Sequence, residues 1–280
     1  MTSKYSSEDI AVITYNVVPQ SRLMFKYERL GEMAVENRRQ YCKSHGYNFI
    51  DTVEIPNDRP ACWAKIPAIL KAFETHQWVL WADSDTLIFD PSRRLEEFLV
   101  SDHHLIVQSL DEFFEFIGIA REAGLTRMPI NTGVFFIQAT DWSRRFLKQA
   151  YNQTQFVVNE EVWSGMGEQE AMIEILRTNP ADLDRVGYVK SLQNNPKFYK
   201  PGDMFVHFYG HNARHHISLT VCEEVLKRWE EANATGAPFP EDLARFHWCC
   251  IQNKTTEMPV VHGDLDRYLY SPADIGFDYD

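Results

Sequence analysis

Two aspartates separated by one residue, Asp83 and Asp85, stand where a strongly apolar segment, Trp78-Val-Leu-Trp-Ala82, stops. Paired carboxylates supply the oxygen donors that a hard divalent cation prefers. In an extended chain, residues i and i+2 point to one side, so both carboxylates could face a single ion. Spacing alone decides little, because Asp-x-Asp recurs at Asp182/Asp184, Asp264/Asp266 and Asp278/Asp280. Position separates the first pair, since ligands of α/β sheets gather at the carboxyl ends of strands. Two carboxylates ending a buried strand also repel each other unless a cation or hydrogen-bond donors compensate. The competing reading is that they open a turn before Pro91.

His207 ends a second apolar run, Met204-Phe-Val-His207, shortly before Gly210. A neutral imidazole there either completes a mixed oxygen and nitrogen sphere of the kind manganese accepts, or is a hydrogen-bonded core histidine. The chain continues as His211, Asn212, Ala213, Arg214, His215 and His216. That stretch reads equally as a phosphate-contacting loop or as the solvated start of a helix.

The whole chain narrows these options. Its 280 residues carry a formal net charge of −12, with 44% hydrophobic and 24% charged residues, which is the composition of an ordinary globular protein. The charge argues against general binding to nucleic acid or anionic membranes, and the basic pairs Arg38/Arg39, Arg93/Arg94 and Arg144/Arg145 are scattered. An anionic substrate would therefore need a local positive centre, which a bound divalent cation supplies. Five cysteines, an odd number without C-x-x-C spacing, read as reduced thiols. The N-terminal residues lack an apolar h-region, and no run approaches the ~18 apolar residues of a membrane span. The expectation is a cytoplasmic protein without a transmembrane segment.

The elements that must position these residues alternate. Ile10 to Tyr15 reads as a buried strand, about Leu23 to Ser44 as a long helix closed by Gly46, and Tyr47 to Val53 as a strand. A helix over Trp63 to Thr75 leads into the strand Trp78 to Ala82. Further on come a short helix near Leu95 to Leu99, a strand Leu105 to Gln108 and a strand Gly133 to Gln138. A helix Trp142 to Gln155 follows with Asp141 as N-cap, then a helix Gln169 to Leu176, a strand Met204 to Phe208 and an amphipathic helix Ile217 to Ala232. This order predicts an α/β fold whose central sheet is mostly parallel and flanked by helices. One catalytic domain is expected over residues 1–235. Prolines break the periodicity beyond it, but persistent aromatics predict that residues 236–280 form a tail packed on the same domain.

Several of these segments together resemble the GT-A glycosyltransferases of the galactosyltransferase GMA12/MNN10 and xyloglucan xylosyltransferase type. Asn37-Arg-Arg-Gln-Tyr-Cys-Lys-Ser-His-Gly46 is similar to that family's N-x-x-x-Y-C-x-x-H-G segment, and Trp63-Ala-Lys65 to its W-x-K helix start. Trp81-Ala-Asp-Ser-Asp85 resembles the donor-metal motif, and Asn131-Thr-Gly133 with Val-Phe-Phe-Ile the N-x-G-x-F strand. Glu168-Gln169-Glu170-Ala171 is similar to an acidic-Gln-x-Ala helix start, and His207-Phe-Tyr-Gly210 to the H-F-x-G strand. The pieces occur in the family's order over about residues 10 to 215.

The resemblance implies a metal-dependent glycosyltransferase that moves a sugar, xylose or galactose first, from a UDP-sugar to an oligosaccharide or glycoconjugate acceptor with retention. Manganese, or another divalent cation such as magnesium, would be held by Asp85 and His207, with Asp83 meeting the metal or the donor ribose. Ser84, Lys65, Gly210 and Arg214 would lie along the diphosphate, Asn131 near the sugars, and Thr14 and Tyr15 beside the base. Glu168 and Gln169 would lie under the transferring sugar, and Glu168 would become the base if the enzyme inverts. Family members usually carry a lysine where this chain has Asn212, and His211 or Arg214 would have to replace it. Rival readings on the same sheet are a sugar-nucleotide hydrolase or nucleotidyltransferase, and a sugar-nucleotide-binding homologue without turnover.

Overall fold

Residues Trp78–Ala82 form a strand, β3, in which every residue is buried. Such a continuous apolar run belongs at the centre of a sheet covered on both faces. The computed structural model describes residues 4–15, 25–99, 102–109, 130–157, 167–194 and 202–207, with positions 227, 231, 234 and 235. The chain divides into two compact units. One comprises Met1–Thr14, Tyr47–Ala82 and Leu95–Leu192, the other Tyr15–Gly46, Asp83–Arg94 and Gln193–Asp280.

The first unit is built on a six-stranded sheet. With β1 (Ile10–Ile13), β2 (Asn48–Ile50), β5 (Leu105–Ser109), β6 (Ile130–Gln138) and β7 (Val186–Val189), its order is β2-β1-β3-β6-β5-β7. β2, β1 and β3 are mutually parallel, as are β5 and β7, while β6 pairs antiparallel with both β3 and β5. One strand of six thus runs against the rest, so the sheet is mostly parallel as the alternating pattern predicts. Helix α2 (Lys65–Ala72) packs on β1 and β3. Helix α4 (Glu168–Thr178) packs on β6, and α3 (Asp141–Tyr151) bridges α2 and α4. Ile66 and Ile69 of α2, Phe146 and Leu147 of α3, and Met172 and Leu176 of α4 turn one buried stripe of each helix inward.

The second unit holds a smaller sheet of order β4-β9-β8, formed by β4 (Thr86–Ile88), β9 (Phe205–His207) and β8 (Gln193–Asn194). Against β4 lies α1 (Phe25–His45). Gly46 ends this helix with φ 78°, a left-handed conformation that glycine adopts without a side-chain clash, and its N–H bonds the Cys42 carbonyl at 2.8 Å. The face of α1 toward β4 carries polar groups at helical spacing. Asn37 bonds both backbone groups of Ile88 (2.8 and 3.1 Å), the Tyr41 hydroxyl donates to the Arg93 carbonyl (2.7 Å), and His45 reaches the Pro91 carbonyl (2.8 Å). Residues 37, 41 and 45 lie one turn apart, so one helix face secures the chain from 88 to 93.

Three expectations change. The N-cap of α3 is Thr140, whose hydroxyl accepts from Ser143 N at 3.2 Å, and Asp141 is the first helical residue. Both residue types cap well, and the one with extended backbone takes the role. The residues from Asp83 to Asp85 are not extended: Thr86 N bonds the Asp83 carbonyl at 3.1 Å, closing a four-residue turn that feeds β4. Trp63 and Ala64 belong to a 3-10 turn, and α2 begins at Lys65. The predicted helix 217–232 and the tail 236–280 lie outside the residues described as continuous elements. Among the described residues no helix is long and apolar enough to cross a membrane.

Candidate active site

Asp83, Asp85 and His207 come together in the second unit. Each offers one ligand atom, and these atoms lie within 4.8 Å of one another. The turn places Asp85 beside Thr86, and antiparallel pairing of β4 with β9 sets Thr86 opposite His207. The separation of 122 residues in sequence is thereby closed by one cross-strand step, leaving His207 Nε2 3.3 Å from Asp85 Oδ1. Asp85 and His207 are buried, and Asp83 and Ser84 are half-buried. Two carboxylates and one imidazole form a hard, mixed oxygen and nitrogen donor set that suits Mn²⁺ or Mg²⁺ better than a thiolate-seeking metal. The group fits a divalent cation, and a turn, not an extended segment, brings Asp83 and Asp85 together.

Beneath this turn lies Arg38 of α1, wholly buried. Its Nη2 donates to the carbonyls of Asp83 (2.7 Å) and Thr86 (2.8 Å) and also to the Thr86 hydroxyl, which itself donates to the Asp83 carbonyl at 2.7 Å. Burial pulls the guanidinium down to about 10, against the attraction of Asp83 and Asp85. Arg38 thus offers partial charge compensation and fixes the backbone from which both carboxylates project. Sequence reading treats Arg38 as one of several scattered basic residues. Its place in the helical series 37, 38, 41 is the signal that could have marked it as inward-facing. Gln193 was also missed: its Oε1 lies 2.8 Å from His207 Nδ1.

A different polar cluster sits in the first unit. Lys65, at the start of α2, is buried with its Nζ 2.5 Å from Glu168 Oε1 and 3.1 Å from the Thr132 carbonyl. Trp81 of β3 lies 5.6 Å from the same ammonium, ring centroid to Nζ. Glu168 and Gln169 open α4 after Gly167 as N-cap. Thr132 N donates to Gln169 Oε1 at 2.9 Å, and the Thr132 hydroxyl contacts both Glu168 and Gln169 at 3.3 Å. The β5–β6 register shifts between Val107 and Gln108, and beside that irregularity Asn131 Oδ1 accepts from Gly133 N at 2.8 Å. Asn131, Lys65, Glu168 and Gln169 are therefore neighbours in one unit. Glu170, one residue further, is raised to about 7 by burial first and then by the Glu168 charge, with Lys65 opposing.

Thr14 follows the last residue of β1 and is fully buried, and its hydroxyl donates to the Ala82 carbonyl at 2.8 Å, tying together the ends of the two central strands. Its hydroxyl is thus already engaged within the sheet. Tyr15 is half-buried. Gly210 and Arg214, with His211 and Asn212, lie outside the described residues. Burial raises the Cys42 thiol to about 12, which makes it an inert core residue.

Comparison with known proteins agrees with the resemblance. Residues 6–113 match the galactosyl transferase GMA12/MNN10 family. An uncharacterized alpha-1,2-galactosyltransferase of Schizosaccharomyces pombe is 29% identical over 213 residues, covering 63% of this chain and 55% of that protein. Galactomannan galactosyltransferase 1 of Cyamopsis tetragonoloba is 28% identical over 143 residues, 48% of this chain and 27% of its own length. The chain thus spans about half or less of the length of the curated relatives it matches. A glycosyltransferase involved in glycosylation of the major capsid of PBCV-1 superposes with a TM-score of 0.51 at 19% identity, covering 79% of this chain and 98% of that one. The fold is that of a GT-A glycosyltransferase.

Proposed function

We propose that this protein is a metal-dependent glycosyltransferase that moves galactose, with xylose as the alternative, from a UDP-sugar to a glycan acceptor with retention. The observation that carries the reading is the convergence of Asp83, Asp85 and His207 from one turn and one strand end. A divalent cation held by these three residues would act as a Lewis acid, neutralising the charge that develops on the departing diphosphate. The turn from Asp83 to Thr86 presents the two carboxylates, and Arg38 keeps that backbone in place beneath them.

Glu168 and Gln169 are proposed to orient the transferring sugar. Glu168 Oε1 is already engaged by Lys65 and Thr132, so its role is positioning and charge stabilisation without proton removal. Lys65 holds Glu168 and the Thr132 carbonyl, a supporting part in place of the diphosphate contact that the resemblance implies. Asn131 contributes its amide at the same strand, and Ser84, Tyr15, Gly210 and Arg214 remain the proposed donor contacts.

The test is a panel of nucleotide sugars incubated with Mn²⁺, Mg²⁺ or chelator, with and without oligosaccharide acceptors. The proposal expects UDP-galactose or UDP-xylose turnover that needs the metal and rises with acceptor. Turnover that ignores acceptor would identify a hydrolase, and turnover unaffected by chelation would refute the metal role.

A further inference from the structure

His207 has two ring nitrogens, and they face different neighbours. Nε2 lies 3.3 Å from Asp85 Oδ1, toward the carboxylate pair, and Nδ1 lies 2.8 Å from the Oε1 of Gln193. A neutral imidazole carries its single proton on one nitrogen, and the partner of that nitrogen decides which. An amide oxygen only accepts, so Gln193 requires the proton on Nδ1 and leaves the Nε2 lone pair facing Asp85. Two acceptors facing each other at this distance repel unless a proton or a metal cation joins them. A metal ion held by Asp83, Asp85 and His207 would do so without a second proton on the ring.

We infer that Gln193 is a positioning residue that locks His207 in the Nδ1–H tautomer, keeping Nε2 available to the metal. This rests on the metal reading proposed above for Asp83, Asp85 and His207. The local fold explains how a two-residue strand does this. β8 runs parallel to β9 with Gln193 paired to Phe205, two residues before His207 and thus on the same face of the small sheet. Gln193 and His207 are both buried, which holds ring and amide in fixed orientation. The choice of a neutral amide also has a consequence. A carboxylate acceptor raises the basicity of a ligating imidazole, whereas an amide orients the ring without that effect. Gln193 therefore gives a correctly oriented but modest ligand, suited to a metal that gains further ligands from an anionic substrate.

The experiment combines two readouts on the full chain. Long-range ¹H–¹⁵N correlation spectra of the metal-free protein report the tautomer of each histidine, with His207→Gln used to assign the resonance. Titration with MnCl₂ followed by electron paramagnetic resonance reports affinity without any turnover. Unaltered protein is expected to show His207 as Nδ1–H. Gln193→Met is expected to lose that tautomer preference and to bind Mn²⁺ about 10- to 100-fold more weakly. Gln193→Glu, which keeps an acceptor, is expected to restore the tautomer and bind Mn²⁺ at least as tightly as the unaltered chain. An Nε2–H imidazole in the unaltered protein would overturn the inference even if Gln193→Met fails to fold. So would Gln193→Met with unchanged tautomer and affinity. If Mn²⁺ binds neither the unaltered chain nor Asp85→Asn, the metal reading fails by itself, while the tautomer spectra still decide the role of Gln193.

Discussion

Lys65 and Glu168 face each other 2.5 Å apart in a buried setting, each charge meeting its opposite. Asp83, Asp85 and His207 are gathered with two carboxylates and an imidazole, and the nearby cation, Arg38, donates its hydrogen bonds to the backbone and to Thr86. The first cluster is electrically complete within the protein, and the second has the donor set of the divalent-cation site proposed above. A self-neutralised pair serves as a fixed part of the frame, whereas an acidic cluster held in place by backbone bonds is organised for a ligand that arrives. That difference separates parts that position from parts that bind, although both kinds carry charge.

The largest effect expected is on catalysis. Asp85→Asn removes one ligand charge and should lower the metal-dependent transfer rate by about 10²- to 10³-fold, comparable to losing one electrostatic stabiliser in other active sites. Its thermal midpoint in the absence of metal should not fall, because one member of a repelling carboxylate pair becomes neutral. A lower midpoint with intact activity would invert the comparison.

Breaking the paired cluster should instead show in stability. Lys65→Met leaves Glu168 buried without its cation, at an expected cost of about 3–5 kcal/mol in urea unfolding. The double variant Lys65→Met/Glu168→Met should recover most of that loss, since neither charge then remains. A single-variant loss under about 1 kcal/mol would mean that the pair is no more than a surface-like contact.

Glu170 sharpens the contrast through pH. Its folded-state value is raised from 4.5 to about 7, so between those values the folded state holds a proton that the unfolded state has released. Stability is therefore greatest below pH 4.5 as far as this group is concerned, falls as pH rises toward 7, and then levels off. Glu170→Gln should remove that slope and raise stability at pH 8 by ~2–3 kcal/mol, measured by denaturant midpoints across the pH range. An unchanged slope would place the proton elsewhere. The smallest effect belongs to Asn37→Ala, which removes the side-chain partner of the Ile88 backbone groups in β4 and should cost ~2 kcal/mol without altering the Lys65–Glu168 pair.

Much of the frame was legible because burial writes itself into composition. Trp78–Ala82 and Val134–Ile137 are unbroken apolar runs, and Gly46 marks the end of α1 by a left-handed conformation that glycine adopts readily. Asp83, Asp85 and His207 could be nominated from strand ends, since a polar residue closing an apolar run is visible in sequence. Three-residue β4 was not: Thr-Leu-Ile follows directly on the Asp83 turn and is too short for its alternation to register. Gln193 stands in a strand of two residues, and its meaning lies wholly in a tertiary contact. Arg38 was passed over for a related reason. A long cationic side chain reads as solvated until its partners are known, and those of Arg38 are backbone carbonyls and a hydroxyl far along the chain.

The central claim is that Asp83, Asp85 and His207 form the metal centre through which the donor diphosphate binds. Calorimetric titration of UDP into the protein, with and without Mn²⁺, in the unaltered chain and in Asp85→Asn, tests it directly. Mn²⁺ should tighten UDP binding at least tenfold in the unaltered chain, and that gain should vanish in Asp85→Asn while its circular dichroism spectrum stays the same. A UDP affinity indifferent to Mn²⁺ in the unaltered chain, or a full metal-dependent gain retained by Asp85→Asn, would contradict the account.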